Sequence, residues 1–375
     1  MINLIETLQI ISLSVTLIFM LFLWLGLRRE RIISSSWRPT VTVLVAARNE
    51  ERDLPGCLES LNKQDYPKDL CEFIIIDDGS TDATGEIAKE WSDKDARFRV
   101  IRLEDEQSRS LGPKKRALTK GFDASSGDVI ICTDADSHFG LGWLSGMIAC
   151  FDEKTTAVCG MVKFDPSRSF WGKLAAFEGL VDSILNAAVI GIGGALSCFG
   201  ANFAYRRKVF NDAGGFDVGS GSLSGDDDLL LQRMRSSGGK IRFCANSQSV
   251  VMTQSPQDRR SYWNRKRRHL SAGKRYAFHW IMLALVVFIA CLTTDLLAVL
   301  WFADYHSNLN FAYMWGFFSL ALFIIFIRGK MIMLQEGYWI WSLTISLVFP
   351  LYFVVIQPLT LLPAPSWKGR SSKHE

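Results

Sequence analysis

The chain has 375 residues, room for two domains or for one domain with a membrane part, and 49% of them are hydrophobic against 21% charged. That balance is too apolar for an ordinary soluble enzyme. The formal net charge of +4 is too modest to suggest nucleic acid as a partner. The eight cysteines include no Cys-x-x-Cys and no His pairing at zinc spacing, so reduced cytosolic thiols are expected. No internal repeat or low-complexity linker is present.

In chain order, Leu8 to Leu27 is an uncharged apolar stretch long enough to cross a bilayer. No Lys or Arg precedes it, and Arg28, Arg29 and Arg31 follow, which is the wrong order for a signal peptide. The positive-inside rule then puts the N-terminus outside and the following residues in the cytoplasm. Val41–Ala46 reads as a buried strand ending in Ala47-Arg48-Asn49-Glu50-Glu51, with a helical pattern through Leu54, Leu58 and Leu61. Phe73–Ile76 is a second strand, ending in Asp77-Asp78-Gly79-Ser80-Thr81-Asp82, where Ser80 or Thr81 is placed to cap the next helix. Phe98–Leu103 is a third strand, Lys114 to Phe122 a helix, and Val129–Thr133 a fourth strand that delivers Asp134 and Asp136 one residue apart. Strands alternating with helices imply a mostly parallel sheet covered on both faces. In such sheets ligands bind at the carboxyl ends of the strands, where these polar clusters should converge.

After a middle region of roughly 35–275, long enough for its own core, apolar stretches return. Phe278–Phe302 and Phe311–Ile327 are two further spans around the polar turn Asp304–Asn310, and Asp295 in the first should face other helices or a polar partner. Tyr338 to Leu362 is apolar but broken by Pro350 and Pro358, with Pro363 just beyond, and is read as re-entrant or interfacial. That reading keeps the basic tail Lys368, Arg370 and Lys373 inside.

Taken together, the ordered motifs resemble the inverting nucleotide-sugar glycosyltransferases of family 2. They are Ala47-Arg48-Asn49-Glu50, Asp77-Asp78-Gly79-Ser80, Lys114 ahead of Ala117-Leu118, Asp134-Ala135-Asp136, Gly200-Ala201-Asn202-Phe203-Ala204-Tyr205-Arg206-Arg207, Gly214-Gly215-Phe216-Asp217 and Gly225-Asp226-Asp227-Asp228-Leu229. The resemblance covers about residues 40–275. It implies an α/β fold of the GT-A kind (a Rossmann-like mixed sheet, mostly parallel), a nucleotide-sugar donor and a divalent metal, Mg2+ or Mn2+. The division expected is an N-terminal anchor over 1–34, a GT-A domain over 35–275 and a transmembrane region over 276–375.

The resemblance also implies roles. Ala47, Asn49, Glu50, Asp77 and Asp78 would face the nucleotide, the last two alternatively being turn residues. Asp134 and Asp136 would hold metal and diphosphate. Lys114 either faces the phosphates or lies on a solvated helix face, the more expected place for Lys115. One of Asp226, Asp227 and Asp228 would be the base that takes the acceptor's proton, and counting back from Arg233 puts it at Asp227. The three acids also suit an N-terminal helix turn. Gly200, Ala201 and Asn202 form either the acceptor-side loop or an ordinary turn before a strand.

Where processive members of the family have Gln-x-x-Arg-Trp, this chain has Arg265-Lys266-Arg267-Arg268-His269, which keeps the Arg and loses both the Gln and the Trp. Arg268 would reach the diphosphate, with most of the basic run from Arg259 to Arg275 docked on anionic lipid. Trp367-Lys368-Gly369-Arg370 resembles a tail of some membrane-bound relatives. The function expected is sugar transfer, with inversion, from a nucleotide sugar (UDP-linked favoured) to a lipid or glycan acceptor. The catalytic domain is expected in the cytoplasm of an integral, multi-pass membrane protein in contact with membrane lipid. The rivals are a processive polysaccharide synthase, and a non-catalytic nucleotide-sugar-binding scaffold that would not need this carboxylate set.

Overall fold

The structure, a computed structural model, describes residues 4–27, 37–104, 112–217, 226–303 and 309–333, with scattered positions from 343 to 358. Helix α1 (Leu4–Gly26) leads into an alternating segment of strands and helices. These are β1 (Val41–Ala47), α2 (Leu54–Asn62), β2 (Cys71–Asp77), α3 (Thr84–Lys94), β3 (Phe98–Arg102), α4 (Pro113–Ala124) and β4 (Val129–Asp134). The expected strands are all present and shift by a residue or two at their ends. Backbone pairing decides those ends, as in the pair Ala47 with Asp77.

The second half is more mixed. It holds β5 (His138–Phe139), α5 (Trp143–Ile148), β6 (Thr155–Gly160), β7 (Val162–Phe164), α6 (Phe170–Gly191), β8 (Phe203–Arg206) and α7 (Arg207–Asp212). Then come α8 (Asp226–Ser236), β9 (Lys240–Cys244), β10 (Val251–Thr253), α9 (Arg259–Ser271), α10 (Phe278–Ala303) and α11 (Leu309–Ile332). Seven strands form one sheet in the order β3-β2-β1-β4-β8-β6-β9, while β5, β10 and β7 form a small second sheet. From β3 to β4 the strands are parallel; β8 runs antiparallel to both β4 and β6.

All seven residues of β1 are buried, as a central strand covered on both faces requires. Val43 and Val45 point to one apolar layer with Leu54, Leu58, Phe73 and Trp143. Leu44 and Ala46 point to the other, with Leu118, Phe122, Leu230 and Met234. This second layer runs on without a break into Met20, Leu23 and Leu27 from the α1 segment, Leu180 and Ile184 of α6, and Phe318 and Leu322 of α11. The apolar helices therefore pack directly on this face of the sheet.

That seam depends on close backbone approach. A Cβ on Gly26 would lie 1.9 Å from the Ala188 oxygen, and one on Gly191 would lie 1.9 Å from the Gly26 oxygen. Only glycine fits where α1 and α6 touch. Arg328 of α11 donates two bonds to the Leu27 carbonyl at 2.8 and 3.1 Å and stacks over Trp24, while Ser12 of α1 donates to Ala290 of α10.

Three helical segments, Thr7–Gly26, Phe170–Gly191 and Trp315–Ile332, are long and apolar enough to cross a membrane. The second is not singled out by the sequence reading, and about two thirds of it is buried inside the protein (67%). Helix α10 covers the expected 278–302 stretch, and its first part meets α9 at a sharp bend of 119°. The expected spans before residue 27 and after residue 310 coincide with α1 and α11. The re-entrant segment lies largely, and the basic tail wholly, outside the described residues.

One expectation is corrected here. Cys150 and Cys244 are paired as a disulfide, with Cα atoms 6.1 Å apart, although 94 residues separate them in sequence. The end of α5 and the end of β9 meet across the sheet, a proximity that no spacing motif encodes. The other six cysteines that are described are buried and free, as expected for reduced thiols.

Candidate active site

The loops that leave β1 and β2 are laced together. Arg48 donates to the Asp78 and Gly79 carbonyls, the Asn49 amide donates to Ser80 Oγ at 3.0 Å, and the Thr81 amide donates to Asn49 Oδ1 at 2.9 Å. Asn49 adopts φ 51, a left-handed conformation that Asn tolerates better than most residues. The Glu50 amide donates to Thr84 Oγ1 at 2.7 Å, and the Ala47 carbonyl accepts from the Asp78 amide. Ala47 thus contributes backbone, and its side chain is buried.

Ser80 and Thr81 do not cap α3, contrary to expectation: both are occupied by the Asn49 side of this lacing, and Asp82 accepts from the Thr84 amide instead. Asp77 and Asp78 are both closed to solvent. Asp77 Oδ1 accepts from the Ser80 amide, and its other oxygen lies 3.7 Å from Arg102 Nε. Asp78 is paired with Arg116 of α4. Turn and framework duties therefore account for much of both side chains.

At the end of β4, Lys114 Nζ donates to Asp134 Oδ1 at 2.7 Å, with both groups partly open. Lys114 thus faces the β4 acids and is only partly open to solvent. Lys115 is corrected: it is 1% exposed, turned into the layer between α4 and the sheet. Asp136 Oδ2 accepts from Thr253 Oγ1 at 3.3 Å. Burial alone would raise the Asp134 carboxyl, but Lys114, then Arg268 and Arg265, hold it below the ordinary carboxylate value. Asp136 moves the other way, pushed up by burial and by the Asp134 charge beside it. The pair's donors are all oxygen, and Lys114 already places a cation against Asp134, so the two carboxylates suit a hard divalent ion.

The basic helix α9 is turned toward this pair. Arg265 lies over the Phe164 ring at 4.4 Å, and enclosure together with Arg268 pulls its pKa down to about 10, so it stays cationic at neutral pH. Lys266 is 3.1 Å from Glu178 of α6. Docking on lipid is corrected for Lys266, which pairs with Glu178, and for Arg265, which faces the β4 acids; Arg268, expected at the diphosphate, also acts on Asp134.

On the other side of β4, the antiparallel register sets Cys132 opposite Phe203. Residues just after β4 and just before β8 therefore share one sheet edge, which brings Asp134 beside the Gly200–Asn202 turn. Asp227 stands against that turn: a Cβ on Gly200 would lie 2.7 Å from Asp227 Oδ2. Asp228 Oδ1 accepts from the Cys198 amide at 2.9 Å, its other oxygen accepts from Tyr276, and the Asp228 amide donates to Asp227 Oδ1 at 2.9 Å. Asp226 begins α8, so the acids do sit on a first helical turn, where the helix dipole favours negative charge. Among the described residues, ligand atoms of Cys198, Asp227 and Asp228 lie within 4.8 Å of one another.

Two members of the acceptor-side turn are corrected. Asn202 is fully buried; its amide donates to the Met161 and Ser249 carbonyls at 2.9 and 2.8 Å and accepts from Trp143 at 3.1 Å. Ala201 packs in the core. Of the three, Gly200 alone abuts a candidate catalytic group. The sequence reading misses Tyr276 and Cys198, whose contacts with α8 arise only in three dimensions, and Arg116, which a Lys-Lys-Arg run does not distinguish from its neighbours.

A sequence model of glycosyl transferase family 2 matches residues 42–214, and one of glycosyl transferase family group 2 matches residues 129–356. The chain belongs to glycosyltransferase family 2. Among curated relatives of this glycosyltransferase, the probable glycosyltransferase YdaM of Bacillus subtilis (strain 168) is 31% identical over 305 residues, which cover 72% of this chain and 67% of the relative. The β-monoglucosyldiacylglycerol synthase of Nostoc sp. (strain PCC 7120) is 26% identical over 196 residues, 52% of this chain and 41% of its own length. Among solved structures, the mannosyltransferase PcManGT from Pyrobaculum calidifontis, in complex with GDP-Man and Mn2+, has a TM-score of 0.62 at 19% identity, over 94% of this chain and 99% of that one. That likeness concerns the fold, a mixed α/β sheet of the GT-A kind.

Proposed function

We propose that this glycosyltransferase moves a sugar from a nucleoside-diphosphate sugar, with inversion, to a lipid acceptor at the membrane. One observation supports this above the rest: the β4–β8 register brings Asp134 to the same sheet edge as Gly200 and Asp227, and Lys114, Arg265 and Arg268 bring positive charge to Asp134. A donor site and a base on one edge are what a direct displacement needs. The glycolipid synthase among the relatives and the apolar helices that pack on the catalytic layer support a lipid as the acceptor.

In the reaction proposed, the acceptor hydroxyl oxygen forms a bond to the anomeric carbon as the bond from that carbon to the diphosphate oxygen breaks. Asp227 takes the hydroxyl proton, and the nucleoside diphosphate leaves with the electron pair. Lys114, Arg265 and Arg268 stabilise the negative charge that develops on the leaving group. Asp134 and Asp136 would hold Mg2+ or Mn2+, whose chemistry when bound is to neutralise that same diphosphate. Ala47, Asn49 and Glu50 would line the nucleotide through the β1 loop, with Asp77 and Asp78 fixing the neighbouring turn. Residues 35–275 form the catalytic unit and lie in the cytoplasm, with 1–34 as the anchor and 276–375 as the C-terminal membrane region.

Chelation tests the donor site. Excess EDTA should abolish transfer, either metal should restore it, and Asp136→Asn should lose metal-dependent donor binding while the protein still folds. Full activity in EDTA would refute the metal assignment.

A further inference from the structure

Against the catalytic layer, α1, α6, α9, α10 and α11 line an open cavity of about 750 Å³, within the size range of small-molecule sites. Its walls are apolar, built from side chains such as Met20, Leu23, Val181, Leu185, Ala284 and Phe288. Polar side chains in its lining include Glu178, Asp182, Lys266, His269, Lys274 and Tyr276. Tyr276 lines the cavity and donates to Asp228, the neighbour of the candidate base Asp227. Leu196 also lines it, and its carbonyl accepts from Gln232 of α8 at 2.8 Å. One end of an apolar cavity thus abuts the helix that presents the base.

Two carboxylates on successive turns of α6 decide what the cavity takes. Glu178 Oε1 accepts from Tyr262 at 2.7 Å and from Tyr352, and pairs with Lys266 at 3.1 Å, so its charge is compensated. Asp182, one turn on and on the same face, also lines the cavity, and among the described residues no hydrogen bond or ion pair reaches its carboxylate. Asp182 is exposed toward the cavity, and a hydrocarbon chain that fills it would strip water from this carboxylate, which is costly unless the occupant donates to it. Its occupant should therefore supply a donor. Lys266 and Lys274 also line the cavity, the first paired with Glu178, and a lipid phosphate on the α6 face would set its negative charge against Asp182.

We propose that this cavity holds the hydrocarbon chain of an uncharged, hydroxyl-bearing lipid, and that Asp182 accepts a hydrogen bond from its head. The inference rests on the lipid-acceptor reading above and deepens it: the acceptor is a neutral amphiphile, and its hydroxyl enters the active site from the Tyr276 side. Asp182 is a specificity determinant that discriminates against anionic lipid.

The test uses the full chain in detergent with two photoreactive probes that carry the same diazirine-labelled acyl chain, one a diacylglycerol and one a phosphatidic acid. The diacylglycerol should cross-link to cavity positions on α1, α6 and α10, on the order of tenfold more than the phosphatidic acid, about 1.4 kcal/mol of preference. Ala284→Trp, which fills the cavity, should remove that labelling and sugar transfer to lipid while nucleotide-sugar binding stays as in the wild type. Leu185→Trp is the second filler should Ala284→Trp not fold. Asp182→Leu should erase the preference between the probes, while Asp182→Asn, which still accepts a hydrogen bond, should keep most of the diacylglycerol labelling. Equal or stronger labelling by the phosphatidic acid, cross-links confined to outward-facing positions, or wild-type labelling in both fillers would each overturn the proposal. If the diacylglycerol labels the cavity but no donor sugar reaches any lipid, the lipid site stands and the transferase reading falls. If transfer to lipid proceeds in both fillers, the reverse holds.

Discussion

The two acid clusters at the sheet edge are built from opposite materials. Asp134 and Asp136 follow a central strand whose backbone pairs on both sides, and cations surround them. Asp227 and Asp228 sit on the first turn of α8, where Asp228 accepts from a backbone amide and from a phenol. The first arrangement suits a fixed site that must absorb the charge of a diphosphate. The second ties Asp228 into the fold by hydrogen bonds and sets it beside Asp227, the candidate proton acceptor.

The comparison is broken first by exchanging chemistry at the helix. Asp227→Asn keeps shape and removes the proton acceptor, so turnover should fall on the order of 10²-fold or more with donor affinity little changed. Asp226→Asn should be milder, and steady-state kinetics on both variants would place the base one residue earlier if Asp226→Asn showed the larger loss.

At the strand cluster the expected effect is smaller and of a different kind. Lys114→Met removes a charge-assisted hydrogen bond to Asp134, of the sort worth about 1.5–3 kcal/mol. Donor binding measured by calorimetry should weaken on the order of tenfold, and unchanged affinity would return Lys114 to a solvated role. Smaller again is Gly200→Ala. The added methyl would meet Asp227 Oδ2 at 2.7 Å, so turnover should drop several-fold while thermal stability holds, because misplacing a reacting group costs rate. Unchanged turnover would mean that Asp227 need not stand where it does.

The strand half of this comparison was legible from residues alone. Val41–Ala47, Cys71–Asp77 and Val129–Asp134 are short apolar runs that end in polar motifs, and a parallel sheet puts such ends together. The acceptor half was less so, because its contacts depend on facing directions that composition does not fix. Asn202 looks like a loop residue yet spends its whole amide inside the core, and Lys115 is buried one position from a lysine that faces the site. Helix α6 is apolar enough to cross a membrane yet is mostly enclosed by the protein, and only the packing of α1 and α11 around it separates the two cases. The pairing of Cys150 with Cys244 has no local signal at all.

The central claim is that the two clusters act on one donor and one acceptor. Membranes that contain the protein should be incubated with a panel of radiolabelled nucleotide sugars, and the lipid, polymer and water-soluble products separated. The account predicts label from one donor in the organic phase, one sugar per acceptor, and none with Asp227→Asn. Label that persists with Asp227→Asn, or a ladder of long polymer in place of lipid product, would contradict it.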